Sequence, residues 1–185
     1  MEDLFPSELP SYAVSHVYHF GAATLGAFIM LVVTGAWMVA NGPLWYQGSG
    51  FGHFIHAVHF WSAQVFFFAM ALHLATNFFM GAWREGRGLT WVVGAMILGV
   101  AVLEGFIGYA LRGDFASQWH AVQSKDAYNA LGLGAWFNPM NSGQMLGLHI
   151  VVMPLVIAAL VGAHLWLVRT RGLVPPYPVA EGRKA

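Results

Sequence analysis

The stretch from His59 to His73, HFWSAQVFFFAMALH, begins and ends with histidine and has no charged residue in between. A second stretch, from His149 to His164, HIVVMPLVIAALVGAH, has the same character. The histidines lie 14 residues apart in the first stretch and 15 apart in the second. At ~100° per residue, each pair returns to within ~40–60° of one helix face, with ~21–22 Å between its members along the axis. The spacing therefore predicts two helices that each carry histidines at two depths.

The composition of the whole chain indicates where such helices belong. The 185 residues include only 8 basic and 8 acidic residues, and 58% are hydrophobic, whereas soluble domains are ~25% charged and ~45–50% apolar. So few charges cannot cover a soluble domain, and there is no basic surplus for binding nucleic acid. The chain has no cysteine, which excludes disulfides and thiolate-held zinc or iron–sulfur clusters. We predict an integral, multi-pass membrane protein in the lipid bilayer.

Four apolar stretches are long enough to cross a bilayer as helices, which takes ~20 residues. We place them at about 14–40, 54–82, 89–111 and 145–168. They make an all-α, transmembrane four-helix domain over residues 14–172, between an N-terminal segment 1–13 and a C-terminal tail 173–185. Most basic residues fall on the side of both termini, so the positive-inside rule predicts that both termini are cytoplasmic. Residues 112–143 then form a long outer loop that lies partly along the membrane interface.

The second and fourth spans run in the same direction, which brings their histidines to matching depths. His59 and His149 fall near the outer surface, and His73 and His164 near the cytoplasmic surface. Two imidazoles in a flat apolar slot suit haem iron, whereas zinc needs more than two protein ligands. The alternative is that each histidine makes a helix–helix hydrogen bond, because an unpaired imidazole in hydrocarbon is costly. The matched depths favour two bis-histidine haem sites between the second and fourth helices.

The first and third spans carry glycines at the same two depths. Gly21 and Gly35 lie 14 residues apart, as do Gly94 and Gly108. Gly21 and Gly94 fall at the cytoplasmic depth, and Gly35 and Gly108 at the outer depth. A missing side chain lets a large flat macrocycle approach the backbone, although small residues also serve close helix packing. We predict that the four glycines contact the haems.

These residues resemble the cytochrome b family, and most of all the split form that makes the N-terminal half of cytochrome b in cytochrome bf-type complexes. The likeness covers about residues 15–175. The segments that carry it are His56–Ala63 leading to His73, Leu89–Gly94, Gly108–Leu111, His149 through Met153-Pro154-Leu155 to His164, and Leu167–Leu173. The 15-residue histidine spacing of the fourth span is similar to that of the split form.

The resemblance implies two haem b groups, an outer one held by His59 and His149 and a cytoplasmic-side one held by His73 and His164. It also implies a subunit of a respiratory-chain quinol/quinone oxidoreductase complex, which carries electrons across the membrane with quinone or quinol as the substrate. The implied partners are a C-terminal-half cytochrome b subunit and a Rieske protein, c-type cytochrome or other redox subunit. Family members are often homodimers.

Several places depart from the family pattern, among them Phe60 and Thr76, which stand where the split form has arginine. His56 stands where the family usually has an arginine that pairs with a haem propionate, and it offers at most a single hydrogen bond there. Arg112-Gly113-Asp114 replaces the Pro-Trp of the family, in a region that partly builds the outer quinol pocket. His19 stands where the split form has the cysteine that attaches an additional haem. We predict that His19 lines an inner pocket for a quinone or an additional haem; an interfacial histidine in water is the alternative.

Two charged residues are further candidates. Glu104 is the only acid within a predicted span and lies one turn from Gly108. Acids inside a membrane are costly and often functional. Glu104 either relays protons from a quinol or tunes the outer haem, or it stays protonated against a neighbouring backbone group. Arg169 follows His164 by five residues, and it either pairs with a propionate of the cytoplasmic-side haem or anchors the topology.

Two other functions stay open. The chain would also suit a haem-bearing membrane anchor that passes electrons between the quinone pool and a non-Rieske dehydrogenase or reductase subunit. The altered segment at residues 112–114 favours keeping this alternative. A channel without haem would need polar residues on several spans, whereas the sequence shows mainly histidines at haem spacing. With haem, the chain is an electron-transfer subunit that is not catalytic alone.

Overall fold

A computed structural model describes residues 16–174 of the chain, a part that is helical and contains no β-strand. In chain order the helices are α1 (His16–Asn41), α2 (Pro43–Gly48), α3 (Gly50–Phe79), α4 (Gly88–Ala110), α5 (Phe115–Ala130), α6 (Ser142–Gly147) and α7 (Met153–Arg171). A π-helical turn, Leu148–Val152, joins α6 to α7, so that Ser142–Arg171 form one continuous span. The predicted segment 1–13 and most of the predicted tail 173–185 lie outside the described residues.

Four helices are long and apolar enough to cross a membrane, namely α1, α3, α4 and the continuous helix from α6 to α7. The all-α, four-span fold predicted from the sequence is therefore confirmed. The helix ends differ from the predicted bounds, because capping residues extend two helices beyond their apolar stretches. Ser49 accepts a hydrogen bond from the Gly52 amide (2.9 Å) at the start of α3, and Asn141 accepts one from the Gln144 amide (3.0 Å) before α6.

The predicted outer loop contains a further helix, α5, which the sequence analysis missed. Its sixteen residues mix polar and apolar side chains, so they give no long apolar run. Asp114 caps its N-terminus by accepting a 2.8 Å hydrogen bond from the Ser117 amide, and this hydrogen bond is the main cause that lowers the pKa of Asp114. On the surface of α5, the rings of Phe115 and Trp119 stack with centroids 6.4 Å apart. The segment thus has an ordered helical structure.

The four spans pack as two helix pairs, α1 with α3 and α4 with α7, whereas α3 and α7 approach each other far less closely. We call the region between α3 and the span Ser142–Arg171 the seam. A buried layer lies half-way along the bundle. Its residues are Ala27, Phe66, Met70, Ile97, Ala101 and Ile157. Phe66 is midway between His59 and His73 in the sequence, so the layer divides the seam into two halves.

Candidate functional site

The seam holds two pairs of histidines that face each other, one pair in each half. The ring centroids of His59 and His149 are 6.2 Å apart with an angle of 83° between the ring planes. The rings of His73 and His164 are 6.5 Å apart at 85°. We call the first the α5-side pair, because it lies at the end of the bundle that carries α5, and the second the terminal-side pair. The structure therefore brings the four predicted ligands together in the predicted combinations.

The π-helical turn explains how unequal spacings produce two matched pairs. His149 lies within this turn, Leu148–Val152, and it is separated from His164 by one residue more than His59 is from His73. A π turn takes up one extra residue within an α-helix, and such turns are frequent at functional sites. The extra residue is thus absorbed next to His149. No residue pattern in the local sequence predicts this turn.

Each of the four predicted glycines lies against one of the four histidine rings. A Cβ atom added to Gly21 would lie 3.0 Å from Cε1 of His73, and one added to Gly94 would lie 3.1 Å from Cε1 of His164. At the other end, a Cβ on Gly35 would lie 3.3 Å from Cε1 of His59, and one on Gly108 only 2.5 Å from Cε1 of His149. The glycines therefore leave room for the imidazoles. Their contact with haem stays a prediction.

Neighbouring side chains occupy the space around the Nδ1 atoms of three of the histidines. Nδ1 of His59 is hydrogen-bonded to the Thr34 hydroxyl at 2.9 Å. The Asn77 amide nitrogen lies 3.2 Å from Nδ1 of His73. Thr34 and Asn77 were missed by the sequence analysis, because a polar residue on a long apolar helix does not reveal what it contacts. Thr34 also donates to the Met30 carbonyl oxygen (2.7 Å), which leaves its oxygen lone pairs free to accept the His59 proton.

Glu104 lies beside the fourth histidine. Its Oε1 atom is 2.8 Å from Nδ1 of His149, and the side chains are only 15% and 24% exposed. The two atoms are within hydrogen-bond distance, although the ring N–H does not point straight at the carboxyl oxygen. The His164 ring lies beside the Thr90 backbone, and its buried Nδ1 makes no hydrogen bond of ideal geometry within residues 16–174. The predicted proximity of Glu104 to the outer pair is thus visible as a direct contact.

A cavity of about 370 Å³ opens beside the terminal-side pair. His73 and Asn77 line it from α3, and Tyr18 and His19 line it from α1. The Tyr18 hydroxyl donates a 2.6 Å hydrogen bond to the Val174 carbonyl oxygen, which ties α1 to the segment after α7 at the cavity wall. His19 is exposed on its other side. The structure thus places the predicted pocket residue His19 and the candidate ligand His73 around one cavity.

The remaining candidates lie at the ends of the bundle. His56 is exposed on α3, and its ring stacks on that of Tyr46 with centroids 5.6 Å apart. Arg169 is exposed in the last turn of α7. Its neighbour Arg171 donates a 2.7 Å hydrogen bond to the Gly86 carbonyl oxygen, which fastens α7 to the α3–α4 connection. No contact in the structure ties His56 or Arg169 to a histidine pair, so their propionate contacts stay predictions.

The geometry of both pairs fits haem iron. When two imidazoles bind the same metal ion from opposite sides, each through a ring nitrogen at about 2 Å, their ring centroids are roughly 6 Å apart. Both pairs show this separation. Within residues 16–174, no group of three or more His, Cys, Asp or Glu side chains is placed to hold a metal ion. Each pair therefore offers two ligands. A haem iron needs just these, because the macrocycle supplies the other four nitrogens.

Comparison with known proteins shows which family the chain belongs to. A family model described as "Cytochrome b(N-terminal)/b6/petB" matches residues 64–184. The chain belongs to the cytochrome b family. The matched range contains His73, His149 and His164, and it begins five residues after His59. Family membership and the four apolar helices make this an integral, multi-pass membrane protein, and the family implies haem b binding.

Individual relatives agree with this cytochrome b assignment. The chain is 35% identical over 129 residues to the cytochrome bc1 complex cytochrome b subunit of Mycobacterium tuberculosis, covering 63% of this chain and 24% of that protein. It therefore spans about a quarter of the length of such relatives. It is 26% identical to cytochrome b6 of Heliobacterium mobile, covering 95% of this chain and 92% of that one. A solved structure titled "Hyperthermophilic respiratory Complex III" shares the fold, with a TM-score of 0.78 at 23% identity over 92% of this chain and 52% of that chain.

Proposed function

We propose that this chain carries electrons across the membrane between two haem b groups, one held by each histidine pair. The observation that supports the proposal is the presence of two facing pairs, with centroids 6.2 and 6.5 Å apart, at opposite ends of one seam. When bound there, haem iron supplies reversible one-electron redox chemistry. The bundle's own residues set where the two groups lie, how they are oriented and how far water is kept from them.

The contact made by His59 indicates which of its ring nitrogens would bind the metal. At His59, the proton on Nδ1 is held by the Thr34 hydroxyl, which leaves Nε2 free for a metal. The glycines on α1 and α4 leave the rings space to stand between the helices. The buried layer around Phe66 and Ile157 keeps the two sites separate. Each of these residues would thus hold one haem, orient its histidine ligand or keep the two haems apart.

Replacement of Thr34 by valine tests this orientation. Valine has nearly the same shape but cannot accept the His59 proton, so a buried donor loses its partner at a cost of about 1–3 kcal/mol. We expect haem at the α5-side pair to dissociate roughly tenfold faster or more, measured as loss of half the reduced b-type absorption band on dilution in detergent. The matched control is Thr24→Val on the same helix, whose hydroxyl donates only to the Phe20 carbonyl oxygen. Equal haem loss in both variants would contradict the role of Thr34.

The cavity beside His73 is where we propose that quinone or quinol binds. Its wall combines apolar side chains such as Val17 and Leu173 with the polar groups of His19 and Asn77, which suits a ring that carries oxygen atoms on an apolar tail. We propose further that the cavity faces the cytoplasm, since the basic residues cluster at that end. An additional haem beside His19 is the alternative occupant of the same cavity.

The complete complex, in this proposal, joins the chain to a C-terminal-half cytochrome b subunit and to a Rieske protein or c-type cytochrome. The support is the near full-length match to a cytochrome b6. The test is to purify the complex from native membranes in mild detergent, count haem b per chain and identify the subunits. We expect two haem b groups and a Rieske or c-type partner. A complex with one haem or none would overturn the proposal.

One observation favours a second function, a haem-bearing anchor for a dehydrogenase or reductase. Arg112 lies at the α5 end, where its guanidinium is 5.1 Å from the ring centroid of Phe60 and 5.7 Å from that of Tyr109. It also forms a 2.8 Å salt bridge with Asp114. These contacts hold a charged side chain where the resembling family has Pro-Trp. Purification with a dehydrogenase or reductase in place of a Rieske protein would support this second function.

A further inference from the structure

Glu104 is the only acidic residue within the four spans, and its carboxylate lies against a candidate ligand. Its Oε1 atom is 2.8 Å from Nδ1 of His149, with 15% of the glutamate side chain exposed. Gly108 lies one turn further along α4 and faces Cε1 of the same ring. Glu104 thus contacts the His149 ring with its carboxyl group, and Gly108 leaves room for the same ring because it has no side chain. This face of α4 is built around His149.

The four histidines differ in what their Nδ1 atoms meet. His59 meets a neutral hydroxyl from Thr34, and His73 meets the neutral amide of Asn77. The His164 ring lies beside the Thr90 backbone, and its Nδ1 meets no side-chain partner within the described part of the chain. Among residues 16–174, only Glu104 places a carboxyl group beside one of these rings, that of His149. Within that range the α5-side pair therefore has an acidic side chain next to it, and the terminal-side pair has none.

We propose that Glu104 is a positioning residue that orients His149 and lowers the reduction potential of the haem held by the α5-side pair. The inference rests on the proposed function, since it requires two haems. A carboxylate that holds the second nitrogen of a metal-bound imidazole fixes the ring and makes it a more basic ligand. A more basic ligand and a nearby negative charge both stabilise ferric over ferrous iron, and burial strengthens the effect of the charge.

The test is a redox titration of the purified complex that contains Glu104→Gln, followed by optical absorption of the two haems. Glutamine keeps an oxygen that can accept the His149 proton but removes the charge. We expect two haems per chain, an unchanged potential for one haem, and for the other a rise that shifts the electron-sharing equilibrium at least tenfold, which is 59 mV for a one-electron couple. The matched control is Glu85→Gln, because Glu85 is an exposed acid on the α3–α4 connection and should leave both potentials unchanged.

Two unchanged potentials in a Glu104→Gln complex that keeps both haems would overturn the inference and leave the proposed function standing. A wild-type complex with fewer than two haems would overturn the proposed function and the inference with it. If Glu104→Gln fails to assemble, Glu104→Asp takes its place, since it keeps the charge and draws it back from the ring. We then expect a smaller rise of the same single potential, and an unchanged value would overturn the inference.

Discussion

Replacing His59 by alanine is expected to remove one haem b and leave the other in place, so that haem content falls from two to one per chain. His73→Ala is expected to do the same at the other end. Each change deletes one of two protein ligands, and no third side chain in the described part of the chain is placed to replace it. The buried layer around Phe66 isolates the two sites from each other. The measurement is haem per chain with the reduced-minus-oxidised spectrum of the purified complex.

The matched control for this loss is His53→Ala on the same helix. His53 is exposed, and its Nε2 atom bonds to the Gln47 carbonyl oxygen (2.7 Å), away from both pairs. This variant should keep both haems. Full haem content in His59→Ala would show that His59 is not a ligand. Loss of both haems in each single variant would contradict the separation of the two sites by the buried layer.

Gly108→Ala is expected to give the second large effect, loss of haem at the α5-side pair alone. The added Cβ would lie 2.5 Å from Cε1 of His149, closer than side chains pack. A ring bound to iron cannot move aside freely, so overpacking should cost about 1–3 kcal/mol. Since about 1.4 kcal/mol corresponds to tenfold in affinity, we expect haem to be held roughly tenfold to hundredfold less tightly. Haem titration of the purified complex measures this change.

Gly99→Ala is the matched control, because it lies on the same helix and nothing lies within 4 Å of an added Cβ there. It should retain haem as the wild type does. A Gly108→Ala complex that retains haem equally well would show that the ring can shift without loss. Equal loss from both variants would indicate that alanine disturbs α4 itself rather than the contact with His149.

Much of this arrangement follows from the sequence. The four spans follow from apolar length, and the pairing of His59 with His149 follows from depth along two helices that run the same way. The combination is predictable because helical rise and rotation are nearly constant. The sequence also predicts which glycines share a level with which histidines, and the structure places Gly21 against His73 and Gly94 against His164.

Other features depend on contacts between helices and could not be predicted. The π turn at Leu148–Val152 depends on how α6 and α7 fit against their neighbours. The pairing of Thr34 with His59 depends on how closely α1 packs on α3. Helix α5 was missed because it is stabilised by a cap at Asp114 and by surface placement instead of a long apolar run. In each case, the interaction that determines the structure is between residues that the apolar periodicity of the sequence does not connect.

The packing of the spans as two pairs has a consequence for how the protein is made. Spans α1 and α3 come from the first half of the chain, and α4 and α7 from the second. As the ribosome delivers the chain to the membrane, each half can form its own helical hairpin before the other is complete. The seam between the hairpins has few contacts to close it, so we expect haem delivery to complete biogenesis. A cell short of haem should then accumulate chains whose two hairpins have not packed against each other, and quality-control proteases can remove these chains.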